Sequence, residues 1–137
     1  MNSLLSHTNI DLFRRNHLLL VLTIVVTAIC LLAGGMKVTG NPLMAMVFEN
    51  QYGFPLWFMF FIGYAEVFGA ISLWLKRWAF YGAQGLLVIG LGATAMHFRF
   101  GDGPDIAMMA WIFTASLILI CLYHWRIRAA AAAPSSA

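Results

Sequence analysis

The sequence predicts an all-α integral membrane protein, a bundle of four spanning helices. Hydrophobic residues make up 62% of the 137 residues and charged residues only 9%, and the mean hydropathy is +0.84. A soluble domain of this length needs more polar residues to cover its surface. The length allows a single membrane domain, predicted over residues 18–125.

Four apolar runs are each close to the ~20 residues that cross a ~30 Å hydrocarbon core as a helix. They cover residues 18–36, 55–75, 79–98 and 106–125. Only three residues, Lys76 to Trp78, separate the second run from the third, so we expect those helices to be antiparallel neighbours.

Basic residues predict how the helices are oriented. Six of them lie at one end of the predicted bundle, against Lys37 and Arg99 at the other end: Arg14, Arg15, Lys76, Arg77, Arg126 and Arg128. By the positive-inside rule, both termini are cytoplasmic. Residues 1–17 then form a cytoplasmic segment, and residues 126–137, ending in AAAAAPSSA, a disordered cytoplasmic tail. Because these basic residues flank apolar runs, nucleic acid is not an expected partner.

The long outer connection, residues 37–54, is expected to hold a short interfacial helix. Asn41 followed by Pro42 is a typical helix start, and the following apolar segment PLMAMVF is too short to span a bilayer.

Glu66 stands out because it lies near the middle of the second span. A charge at that depth costs roughly 2.5–3.5 kcal/mol, so the side chain should face the bundle. We predict a protonated Glu66 that is bonded to polar groups at similar depth, of which the candidates are Thr27, Gln84 and Ser116. On level, straight helices Lys37 would lie ~14 Å from Glu66 in depth, which argues against a salt bridge. Glu66 is either a structural hydrogen-bonding group or a proton acceptor or ligand contact.

A second polar layer near the outer boundary contains Lys37 and His97, which either extend to the interface or take part in a site. Methionines gather at the same end, so an alternative is a Cu(I) site formed by Met44, Met46, Met96 and His97. Methionine is more often an apolar filler, and we predict no metal site.

Several motifs resemble the DoxX-like family of small four-helix bacterial membrane proteins. They are GGMKVTG after the first span, IGYAEVFGAISLW followed by KRWA, and ATAMHF closing the third span. By this resemblance Lys37, Glu66, Gly69 and His97 match recurrent positions of the family. The resemblance implies a location in the bacterial cytoplasmic (inner) membrane and an association with redox enzymes, since the family takes its name from membrane components of a thiosulfate:quinone oxidoreductase.

Three functions are compatible with these observations. The first is an accessory subunit that faces a quinone and serves a redox partner protein. The second is a small proton-coupled transporter that uses Glu66, and the third is an assembly factor or scaffold without chemistry. No cofactor is evident in the residues themselves, and a quinone is the ligand that the first function implies. The lipid bilayer is the expected environment, a homo-oligomer is compatible with all three functions, and the residues leave open whether the chain takes part in catalysis.

Overall fold

A computed structural model of the chain describes Leu12, Arg14 and residues 16–132, whose regular elements are all helices, with no strand among the described residues. Four long helices are α1 (His17–Val38), α3 (Leu56–Leu73), α4 (Ala79–Phe100) and α5 (Pro104–Ala132), and each is long and apolar enough to cross a membrane. The prediction of an all-α protein with four apolar candidate spans is confirmed. A short α2 (Pro42–Met46) and a π-helical turn (Val47–Gln51) lie between α1 and α3.

The helix bounds differ from the predicted ones mainly at the helix ends. Helix α1 continues to Val38, so Lys37 lies inside the helix instead of after it. Helix α5 continues through residues 126–132, which include four alanines, the best helix former. These residues belong to the predicted disordered tail, whereas residues 133–137 and most of the predicted 1–17 segment lie outside the described residues.

The long helices pack in the order α1, α3, α4, α5, with α5 returning to α1. We call the end with His17 and the α3–α4 turn the terminal end, and the end with residues 39–55 and 101–103 the loop end. Buried positions recur every three or four residues, as in antiparallel helical bundles. They are Leu19, Thr23, Val26, Cys30, Gly34 and Lys37 on α1, and Met59, Gly63, Glu66, Ala70 and Leu73 on α3.

Large apolar side chains cover the outside of the bundle. Leu32, Trp57, Phe68 and Val88 are each more than 60% exposed, which suits contact with a lipid bilayer and not with water. The interior is correspondingly narrow, and small residues such as Ala70 and Ala83 are fully buried in it.

The loop end is closed by the connection between α1 and α3. The predicted helix start is present: the Asn41 side-chain oxygen accepts a hydrogen bond from the Leu43 N–H at 3.0 Å, and Pro42 occupies the first turn. Phe48 is buried, and its ring contacts those of Tyr52 and Phe54.

Candidate functional site

Two glycines bring the backbones of α1 and α3 into contact near the loop end. A Cβ placed on Gly63 would lie 2.7 Å from the Lys37 Cβ and 3.0 Å from the Gly34 carbonyl oxygen. A Cβ on Gly34 would lie 3.1 Å from the Glu66 Cβ. The absence of side chains at both positions therefore makes room for Lys37 and Glu66 between the helices.

Lys37 and Glu66 form a buried ion pair in this space. The Lys37 Nζ donates to Glu66 Oε1 at 2.9 Å and Oε2 at 2.8 Å, and it lies 3.4 Å from the Ala33 carbonyl oxygen. The two side chains are only 10% and 8% exposed. Both carboxylate oxygens are thus engaged by one ammonium group, which compensates part of the desolvation cost of each charge.

The predicted partners of Glu66 were wrong. Thr27 accepts a hydrogen bond from the Trp74 indole nitrogen at 3.0 Å, and Gln84 is exposed on the outside of α4. Ser116 is buried on α5 but makes no hydrogen bond to Glu66. The carboxylate instead binds Lys37, the partner that the depth argument had excluded.

The reason lies in the register between α1 and α3. We assumed that α1 and α3 have their terminal-end residues at the same depth. In the structure Trp74, just after the end of α3, donates to Thr27. Thr27 is nine residues, or about 13 Å, beyond Leu18 along α1, so α3 is displaced toward the loop end. The Lys37 Cβ lies against Gly63 and the Glu66 Cβ against Gly34, so Lys37 and Glu66 are offset by three residues, or about 4.5 Å. Two extended side chains easily span that distance.

His97 belongs to a second polar group, at the loop end. Its Nδ1 lies 2.7 Å from Asp102 Oδ2, and the two side chains are 16% and 12% exposed. The Gln51 amide nitrogen, on the π-helical turn, is 3.5 Å from Asp102 Oδ1. The group therefore joins the α2–α3 connection to the end of α4.

Asp102 is a site residue that was not among the candidates we named from the sequence. The signal was the glycine between it and Phe100. Gly101 adopts a left-handed φ of 69°, its N–H bonds to the Phe98 carbonyl, and the Asp102 N–H bonds to the His97 carbonyl. This is a Schellman C-cap, which folds the residue after the glycine back over the last turn of the helix.

Aromatic side chains lie on the two segments that carry the His97–Asp102 group, Phe100 at the end of α4 and Tyr52 beside Gln51. The Tyr52 ring lies 5.3 Å from that of Phe100, and it also contacts Phe54. Burial, and secondarily the negative charge of Asp102, raise the pKa of the Tyr52 phenol above its ordinary value of 10.0. The phenol therefore stays a hydrogen-bond donor over the whole physiological pH range.

Trp111 on α5 carries a buried donor without an acceptor. Its Nε1 makes no hydrogen bond to a described residue, and its ring stacks on Phe98, the neighbour of His97, with centroids 5.9 Å apart. A buried indole N–H without an acceptor is uncommon, because such a group costs about 1–3 kcal/mol. An acceptor from outside the described chain would satisfy it.

For the copper alternative, the described residues contain no group of three or more His, Cys, Asp or Glu side chains that would hold a metal ion. His97 Nδ1 is already engaged by Asp102. Met44 and Met96 are partly buried and Met46 is exposed. These contacts do not test a thioether site with His97, which stays the alternative to the prediction of no metal site.

Comparisons with known proteins agree with this architecture. The model of the DoxX-like family matches residues 21–122. A relative from Bacillus subtilis (strain 168), described as the uncharacterized protein YdgD, is 33% identical over 101 residues, which cover 69% of this chain and 88% of the relative. No solved structure matches the chain significantly. The chain therefore belongs to the DoxX-like family.

Proposed function

We propose that this member of the DoxX-like family is an accessory membrane subunit that binds a quinone headgroup beside His97 and serves a redox partner protein. The observation that carries the proposal is the His97–Asp102 pair at the loop end, with 2.7 Å between Nδ1 and Oδ2, on segments that also carry the Tyr52 and Phe100 rings. The basic residues near the termini favour an outward-facing loop end in the bacterial inner membrane.

The residues present fit a quinone, which is a flat apolar ring with two carbonyl oxygens. Asp102 holds Nδ1 of His97, while Nε2 makes no hydrogen bond to a described residue, and in the protonated ring it carries an N–H that a carbonyl oxygen can accept. The unpaired Trp111 Nε1 is a second donor at this end of α4 and α5. Phe98 and Phe100 supply ring surfaces for stacking.

When bound, a quinone would carry two electrons and two protons between the partner protein and the membrane pool. The chain's own residues would orient the quinone headgroup and donate hydrogen bonds to it. Asp102 fixes the His97 ring, and His97 holds a proton at Nε2 when the ring is charged. The two side chains are only 16% and 12% exposed, which limits the access of water to these groups.

Quinone content tests the proposal. The full chain would be purified from bacterial membranes in mild detergent, and quinone and phospholipid would be quantified by mass spectrometry. We expect His97→Ala to weaken quinone binding about tenfold, the loss of roughly one hydrogen bond or about 1.4 kcal/mol, and so to lower the quinone-to-protein ratio. The matched control is His17→Ala, an exposed histidine at the terminal end, which should change nothing. The same ratio of quinone to phospholipid in the wild type and in both variants would contradict the proposal.

A second candidate is proton-coupled transport, because the buried Lys37–Glu66 pair is the kind of intramembrane charge that proton pathways use. Proteoliposomes containing a pH-sensitive dye would report proton movement under an imposed K⁺ diffusion potential. Glu66→Gln should abolish the signal, and Glu49→Gln, which alters an exposed carboxylate, should not. A chain that neither holds quinone nor moves protons, but copurifies with another protein, would be the assembly factor or scaffold.

A further inference from the structure

A groove separates α1 from α5 at the terminal end, opposite the loop-end groups. Its volume is about 240 Å³. Leucines form its walls and polar side chains lie at one end, and the lining includes Leu18, Leu22, Leu119, Leu122, Tyr123 and Arg126.

The groove opens to the lipid-facing outside of the bundle. Leu18 is 62% exposed and Leu122 is 54% exposed, so its walls continue directly into the lipid-facing surface. An apolar chain from the bilayer would therefore enter sideways, without crossing a polar barrier. The polar end, with Arg126 just beyond the predicted span, is where lipid headgroups lie.

Arg126 is exposed and makes no ion pair with a described residue. Arg128, two residues further along α5, is engaged differently, since its guanidinium lies 4.4 Å from the Phe80 ring centre and 5.3 Å from that of Tyr81. The acidic residues that the structure describes lie on the π-helical turn, in α3 and around the α4–α5 connection: Glu49, Glu66, Asp102 and Asp105. Within the described part of the chain, the terminal end therefore has basic groups but no carboxylate to neutralise them.

We propose that this groove is a binding site for an anionic phospholipid, with its phosphate on Arg126 and one acyl chain along the five leucines that line it. Charge selects the headgroup, and the leucine walls select a hydrocarbon chain. The site is independent of the proposed quinone site, since it lies at the other end of the bundle and shares no residue with it.

Native mass spectrometry of the delipidated full chain tests the proposal. The chain would be mixed with phosphatidylglycerol or with phosphatidylcholine carrying the same acyl chains. We expect one phosphatidylglycerol to be retained in preference to phosphatidylcholine. Arg126→Gln should weaken phosphatidylglycerol binding about fivefold and leave phosphatidylcholine unchanged. Arg77→Gln, which removes an exposed arginine from the α3–α4 turn, is the matched control and should bind like the wild type.

Filling the groove tests the acyl-chain part separately. Leu119→Trp and Leu122→Trp should each reduce retention of both lipids, whereas Leu32→Trp, at an exposed leucine of α1 outside the groove, should not. Circular dichroism verifies that each variant is helical, and Leu122→Trp serves if Leu119→Trp does not fold. Equal retention of the two lipids by the wild type would overturn the proposal. So would an equal loss in Arg77→Gln and Arg126→Gln, or full binding by the filled variants.

Discussion

Removing one partner of the Lys37–Glu66 pair should destabilise the bundle far more than removing both. The variants are Lys37→Met, Glu66→Met and the double substitution. Methionine has about the length of either side chain and no charge, so packing changes little. A single variant leaves one charge buried without its counter-ion, whereas the double variant leaves none.

The magnitude follows from the geometry of the pair. The Nζ–oxygen distances of 2.8 and 2.9 Å and side-chain exposures of 10% and 8% describe a desolvated pair in which one ammonium group engages both carboxylate oxygens. Breaking such a pair costs about 3–5 kcal/mol, while replacing both partners by apolar side chains is neutral or stabilising. We therefore expect each single variant to lose about 3 kcal/mol or more and the double variant less than about 1 kcal/mol.

The assay is reversible unfolding in mixed detergent micelles, followed by far-UV circular dichroism and analysed as a double-mutant cycle. Glu49→Gln, at an exposed carboxylate, is the control and should stay within about 0.5 kcal/mol of the wild type. Infrared spectra at pH 7 should contain a carboxylate band that Glu66→Met removes. Additive single effects, or a protonated carboxyl band assigned to Glu66, would refute the ion pair and restore our sequence-based prediction of a protonated side chain.

Three further outcomes are expected. Gly63→Ala should lower the unfolding free energy by about 1–3 kcal/mol, because its Cβ would lie 2.7 Å from the Lys37 Cβ; Gly85→Ala, where the new Cβ meets nothing within 4 Å, is the control and should cost nothing in the same unfolding assay. The pKa of Tyr52 is raised by burial and by Asp102, so its stabilising effect is complete below pH 10.0 and is lost as the pH rises through the folded-state pKa. Unfolding measured from pH ~9 to ~12 should therefore show a smaller alkaline loss in Tyr52→Phe than in the wild type, and equal losses would contradict this. Reporters inserted at Asn50 and fused to the C-terminus should report opposite sides of the membrane, and agreement between them would rule out the predicted four-span topology.

The spans were predictable because lipid cannot satisfy backbone hydrogen bonds, which leaves few alternatives to a helix of about 20 apolar residues. The start of α2 was also predictable, since Asn41 and Pro42 act within a few residues of each other. The C-terminal ends of α1 and α5 were harder to predict. By composition, a lysine at the end of α1 and a polyalanine segment at the end of α5 are typical of a loop and a tail, yet both are compatible with a helix.

The partner of Glu66 was not predictable from depth alone, because depth arithmetic assumes level helix ends. The spacing of glycine and charged residues along α1 and α3 was a better guide to the partner of Glu66. Gly34 and Lys37 on α1, like Gly63 and Glu66 on α3, are three residues apart and lie on the buried face of each helix. Antiparallel packing of two such glycine-and-charge pairs places each charged residue against the glycine of the other helix.

The ion pair also determines how the bundle responds to membrane voltage. As a unit it carries no net charge, so an electric field does no net work on it when α1 and α3 move together. Protonation of Glu66, or separation of the two side chains, would leave a lone charge in the field. Moving one charge across the membrane is worth about 2.3 kcal/mol per 100 mV. The energised membrane therefore does net work on these two side chains only after the pair has been broken.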